Sequence, residues 1–139
     1  MTIQRVPVPT ETTAGGETNA YLADGPDGSV LVDPGARTAD LDAAVADRDV
    51  AHVTVTHAHS DHVGAVAAYA AETGATVWAR RGREARFEAA TGVAPDRTFA
   101  EGTTVGGLTV LDAPGHAPDH VAFETRDGIL AGDLAFASG

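Results

Sequence analysis

Cysteine is absent from the 139-residue chain. That removes disulfides, thiolate nucleophiles, iron–sulfur clusters and cysteine-ligated zinc fingers together, and leaves His, Asp and Glu as the side chains able to hold a metal strongly. Lysine is absent too: all nine cations are arginine, set against 20 acids for a formal net charge of −11. A field of that sign repels phosphate backbones and anionic lipid surfaces, which disfavours nucleic acid and membrane as partners. No window approaches the roughly 20 apolar residues that span a bilayer, and residues 1–10 hold one Arg and no apolar core of a leader peptide. Aromatics are scarce at 5 %, yet 43 % of the chain is hydrophobic, enough to exclude global disorder. The expectation is one soluble, uncleaved, cytoplasmic domain over residues 1–139.

The acid-rich, lysine-free, alanine-rich composition is what selection in concentrated salt produces, because carboxylates hold water and screening removes their mutual repulsion. Codon bias converts Lys to Arg but does not by itself give −11. A halophilic cytoplasm is the reading favoured here, and it predicts a melting temperature that climbs as KCl is raised from dilute buffer into the molar range. A melting temperature indifferent to salt would count against it.

Along the chain, short elements alternate with turns. Thr18 to Ala23 alternates, Pro26-Asp27-Gly28 turns, and Ser29 to Asp33 carries the continuous apolar run Val30-Leu31-Val32, a strand buried on both faces. Thr38 can cap a helix over Ala39 to Ala46, with Leu41, Ala44 and Val45 on one stripe. Ala51 to Thr56 then alternates with Val53 and Val55 inward. A helix over Ala65 to Thr73 presents Val66, Tyr69, Ala70 and Thr73, and Gly74 stops it. Thr76 to Ala79 reads as a strand. Arg81 to Thr91 reads as a weaker helix with Phe87 and Ala90 inward, its neighbours Arg80, Arg81, Arg83 and Arg86 forming a solvated face. Gly106-Gly107 and Asp127-Gly128 turn two hairpins, which involve Leu108 to Leu111, then Val121 to Thr125 with Ile129 to Ala131. Early alternation and late hairpins predict an α/β (α+β) fold with mixed β-sheets and outer helices.

The informative segment is Thr56-His57-Ala58-His59-Ser60-Asp61-His62, three imidazoles and a carboxylate placed where an apolar strand ends. Continued extended geometry would put His57 and His59 on one side, able to close on one ion, with Asp61 following. His62 falls out of phase and must be turned by the chain. His116 arrives in Pro114-Gly115-His116 after another strand, and Asp133 in Gly132-Asp133 after a third. His52 reads as structural or exposed.

This pattern resembles the metallo-β-lactamase-fold hydrolases, the superfamily that includes glyoxalase II. The resemblance rests on the H-x-H-x-D-H signature at 57–62, Pro114-Gly115-His116, Gly132-Asp133 and the early Val32-Asp33-Pro34-Gly35, which agree in order and rough spacing. It implies an αββα sandwich, of which this chain holds the first part. By position, it implies that His57, His59 and His116 hold the first metal, that Asp61 and His62 hold the second, and that Asp133 bridges both. Asp33 matches a residue that supports the ligands from behind, and equally a simple turn aspartate. His120 matches a family His that is not a ligand. His59, in place of a Glu, argues against the diiron flavoprotein branch.

The resemblance covers nearly the whole chain but about the first two-thirds of the family's domain. Family members take one more His for the second metal from beyond the G-D loop; here six residues follow Asp133 and none is His. A naturally shortened relative, a truncated chain and a chain completed by a second copy as a homodimer all fit. The implied function is zinc-dependent hydrolysis of an ester or thioester carbonyl of a small molecule by a metal-activated water, with Asp61 orienting that water and zinc bound in one tight site and a second, weaker one. Two alternatives stand beside it. One is a mononuclear iron sulfur dioxygenase using His57, His116 and Asp133, and the other a catalytically weak metal-binding half-domain.

Overall fold

Val30, Leu31 and Val32 are all fully buried, because the strand they form has a packed layer on each side. Leu31 faces a cluster shared with the helices, whereas Val30 and Val32 face a second sheet. The computed structural model describes residues 3–9, 17–56, 65–112, 121–125, 128–130 and 136–137. Among these, six strands form one sheet in sequence order: β1 (Ile3–Pro9), β2 (Glu17–Gly25), β3 (Gly28–Val32), β4 (Val50–Thr54), β5 (Thr76–Arg80) and β6 (Arg97–Phe99). The first three pair antiparallel, and β3 to β6 pair parallel. The second sheet is antiparallel in the order β11 (Phe136–Ala137), β10 (Gly128–Leu130), β9 (Val121–Thr125), β8 (Leu108–Asp112) and β7 (Thr104–Val105).

Parallel neighbours need crossovers, and three helices supply them: α1 (Ala39–Ala46), α2 (Val66–Thr73) and α3 (Glu84–Thr91). All three bury their apolar residues against one face of the first sheet. Leu41, Val45, Val66, Tyr69 and Phe87 join one cluster with Leu22, Leu31, Val53 and Val77. The opposite face packs Tyr21, Ala23, Val30 and Val32 against Leu108, Val110, Val121 and Phe123, with Phe99 and Phe123 edge to face at 5.7 Å. The layers are therefore helices, sheet, sheet, and the C-terminal ends of β3 to β6 share one edge. No helix among the described residues is long and apolar enough to cross a membrane.

Local signals account for much of this. The Thr38 hydroxyl accepts from the Leu41 N–H at 3.0 Å, capping α1, and Asp40 and Asp42 stand in its first turn. Gly74 ends α2 in the left-handed conformation at φ 68°. The third helix begins later than the sequence predicts, at Glu84, because Gly82 at φ 86° makes residues 81–83 a turn. Of its two predicted inward residues Phe87 is buried but Ala90 is exposed, since a short helix over the sheet's far strands docks through a single anchor. Of the four arginines predicted to be solvated, Arg81, Arg83 and Arg86 are exposed, whereas Arg80 is half-buried and its guanidinium donates to the Arg81 carbonyl at 2.9 Å.

Tyr69 fastens α2 to α1. Its hydroxyl donates to Asp42 Oδ1 at 2.6 Å, and Arg37 lies 5.4 Å from the ring centroid while pairing with Asp42 at 3.3 Å and Glu72 at 3.0 Å. Burial, helped by the bond to Asp42, raises the phenol pKa above its ordinary range. A group whose pKa is raised by folding contributes stability below its unfolded pKa and loses it as pH rises. Tyr69→Phe is therefore expected to lose about 1 kcal/mol in urea unfolding near neutral pH. The wild type should also show an alkaline loss of stability above a pH of about 10. If the variant shows the same alkaline loss, the loss does not come from Tyr69.

Candidate metal centre

At the end of β3 the chain turns through Asp33, which sits at φ 57°, the left-handed region that short polar residues tolerate best after glycine. Its carboxylate is fully buried. One oxygen accepts the Thr56 backbone N–H at 2.7 Å and the other the Thr56 hydroxyl at 2.8 Å, so the desolvated charge meets donors on both oxygens. The Asp33 N–H donates to the Thr54 carbonyl at 3.1 Å, and the next carbonyl, that of Pro34, accepts from the Ala65 N–H at 2.8 Å. Thr56 and Ala65 are the described residues on either side of 57–64. Both are held by the same two-residue turn.

Thr56 also reaches the second sheet. Its carbonyl accepts the Val121 N–H at 2.7 Å. Val121 is the first described residue after 113–120, and its cross-strand partner Asp112 is the last one before. Leu130, which leads into 131–135, pairs with Phe123 near the same end of β9. The residues bounding three segments thus gather at one edge of the two sheets. The candidates His57, His59, Asp61 and His62 belong to the first segment, His116 and His120 to the second and Asp133 to the third. All of them lie outside the described residues. Among the described residues no three of His, Asp and Glu come close enough to hold a metal ion.

Two predicted roles fall within the described residues. His52 is structural: Nδ1 accepts from the Trp78 indole N–H at 3.0 Å, which fixes the other ring nitrogen, 3.1 Å from Asp27 Oδ2, as the donor. Its ring also meets Trp78 edge on at 5.9 Å. Asp33, open between support and turn, is both, since its turn geometry aims a buried carboxylate at Thr56. Sequence reasoning assigns no role to Thr56. A hydroxyl residue at the last position of an apolar run, next to a His-rich segment, is the signal that could have found it.

Comparison with known proteins places this edge in a family. The model of the metallo-beta-lactamase superfamily matches residues 13–139. The chain belongs to the metallo-beta-lactamase superfamily. Among its relatives, a hydroxyacylglutathione hydrolase of Anaeromyxobacter dehalogenans (strain 2CP-C) is 35 % identical over 131 residues, covering 90 % of this chain and 49 % of the relative. TTHA1623, solved in a di-iron-bound form, superposes with a TM-score of 0.64 at 34 % identity, over 86 % of this chain and 66 % of that one. The BLEG-1 B3 metallo-beta-lactamase shares the fold with a TM-score of 0.71 at 22 % identity, over 90 % of this chain and 68 % of that one. The mixed sheets with outer helices are those of the metallo-beta-lactamase fold, as the resemblance implied. The chain spans about half the length of the curated relatives it matches.

Proposed function

We propose that this chain is a metal-dependent hydrolase of ester or thioester carbonyls, with zinc as its metal. In this reading His57, His59 and His116 hold one ion, Asp61 and His62 a second, and Asp133 is shared. The observation that carries it is the Thr56–Val121 hydrogen bond between the sheets, which brings the ends of two histidine-bearing segments together beside the Asp33 turn. The donor chemistry fits. Four imidazoles and two carboxylates, with no thiolate in the chain, make a nitrogen and oxygen set suited to a divalent ion.

When bound, such an ion polarises a carbonyl and lowers the pKa of water. The protein's own contributions are positional. Asp33 and Pro34 hold both flanks of residues 57–64, and the Asp61 carboxylate orients a water by accepting one of its protons. In the overall reaction the water oxygen bonds to the acyl carbon, the carbon–sulfur bond breaks, and the proton ends on the departing sulfur. A thiol needs little protonation to leave, and the names of the curated relatives specify an acyl group carried on glutathione. Imidazoles bind metal when neutral, so affinity falls as pH drops through the histidine range. We read residues 1–139 as one domain working in a salt-adapted cytoplasm on a small molecule.

The test is release of free thiol from an acyl-glutathione thioester by protein of measured zinc content. Steady turnover proportional to bound zinc is the expected result. Full metal occupancy without turnover would instead favour a metal-binding half-domain. Because the similar TTHA1623 was solved with two irons, iron is the competing metal. Iron content with oxygen uptake would support a sulfur dioxygenase held by His57, His116 and Asp133. Native mass of the assembly decides the homodimer.

A further inference from the structure

Five of the nine arginines of this strongly acidic chain fall within residues 80–97, and the stretch Arg80-Arg81-Gly82-Arg83-Glu84-Ala85-Arg86 holds four of them against one acid. The register of the parallel strands says where they stand. Val53 pairs with Val77, and the Thr54 hydroxyl donates to the Trp78 carbonyl at 3.0 Å. Three residues on from that pair, Thr56 and Arg80 occupy equivalent positions at the C-terminal edge, on strands that neighbour at about 4.8 Å. The turn is fastened there, with the Arg81 N–H on the Phe99 carbonyl at 2.7 Å and the Arg83 N–H on the Arg80 carbonyl at 3.0 Å. Arg81 and Arg83 are exposed and make no ion pair among the described residues, whereas Arg37 and Arg48 are both paired to acids.

We infer that the Arg81–Arg83 turn is the substrate-selecting element of this site and takes a carboxylate-bearing group of the molecule whose ester or thioester is cleaved. The inference rests on the hydrolase reading above and specifies its substrate class. A net charge of −11 repels anions over most of the surface, so a local excess of guanidinium beside the Asp33–Thr56 turn is the place where an anionic substrate is drawn in and oriented. Guanidinium suits this role because it grips a carboxylate with two parallel N–H donors. Concentrated salt weakens long-range attraction and leaves these contact hydrogen bonds in place.

The experiment compares wild-type, zinc-loaded protein with Arg81→Gln/Arg83→Gln, using Arg5→Gln as a charge-matched control on β1. The substrates are the acetyl thioesters of mercaptosuccinate and of its uncharged diamide, and binding of succinate is followed in parallel by calorimetry. In the double variant, kcat/KM for the dianionic thioester should fall roughly tenfold while the diamide changes less than about twofold, as expected for two exposed charge contacts. Succinate affinity should fall with it, and Arg5→Gln should behave as wild type. Turnover with an unchanged charge preference and unchanged succinate binding would overturn this inference and leave the hydrolase reading intact. Succinate binding that depends on the two arginines, with neither thioester cleaved, would keep the anion site and overturn the hydrolase reading. Loss of neither binding nor preference in the variant, together with no metal-dependent turnover, would remove both.

Discussion

Protein carrying His59→Ala is expected to lose most of its bound metal, and His57→Ala the same, whereas His52→Ala keeps the wild-type content. The first two residues belong to the proposed three-imidazole set with His116, and removing one nitrogen donor from a tetrahedral zinc site reduces affinity more than the roughly 10–100-fold lost with a supporting residue. His52 has its two ring nitrogens engaged with Trp78 and Asp27 instead. Its loss costs packing and hydrogen bonds, about 1–2 kcal/mol, and no metal. Metal per chain, measured on protein purified without added zinc, checks this directly. Equal content in wild type and His59→Ala would falsify the ligand assignment. The same logic orders two ions. Three imidazoles with Asp133 fill one site, while Asp61, His62 and a shared Asp133 leave the second short of a donor, so zinc should titrate in one tight and one weaker step per chain. Two equally tight steps, unaffected by His120→Ala, would count against that ordering.

How far these conclusions could be read from the sequence depends on whether the signal is local. Helix α1 is legible to the residue because its cap, its acidic first turn and its apolar stripe lie within nine consecutive positions. Strand β3 is legible because three consecutive large aliphatics, closed off by Asp33-Pro34-Gly35, fit a short strand packed on both faces. Strand β1 is not, since Pro7 and Pro9 obscure its pattern; at the edge of the sheet, paired on one side with β2, the missing N–H groups are tolerated. Strands β6 and β11, three and two residues long, carry too short a pattern to stand out. In the site, the chemistry of the H-x-H-x-D-H run is legible, but the hydrogen bond from Val121 to Thr56 is not. Periodicity tells which face a residue presents. It does not tell which strand of another sheet will meet it, and that contact appears once the two sheets stack through Val30, Val32, Val110 and Phe123.

Asp33 connects these two levels, and its replacement should separate them. In Asp33→Ala the Thr56 N–H and hydroxyl lose their acceptors in a fully buried position, and alanine takes on the left-handed backbone at φ 57°. Leaving buried donors unmatched and forcing that backbone together cost about 3–5 kcal/mol, a large part of the roughly 5–15 kcal/mol that stabilises a typical domain. For a chain of this length that corresponds to a melting temperature lower by roughly 10–15 °C. Asp33→Asn should cost far less, about 1–2 kcal/mol, because asparagine tolerates the left-handed region and its amide can accept from the backbone N–H while donating to the hydroxyl oxygen. Zinc affinity, measured by competition with a chelator well below either melting point, then tells positioning from plain stability. If Asp33 acts by fixing Thr56 ahead of His57, affinity falls in the alanine variant by about 10–100-fold, as for other residues that orient ligands, and recovers in the asparagine variant. If the melting temperature drops while affinity stays at the wild-type value, the buried carboxylate serves only to join β3 to β4.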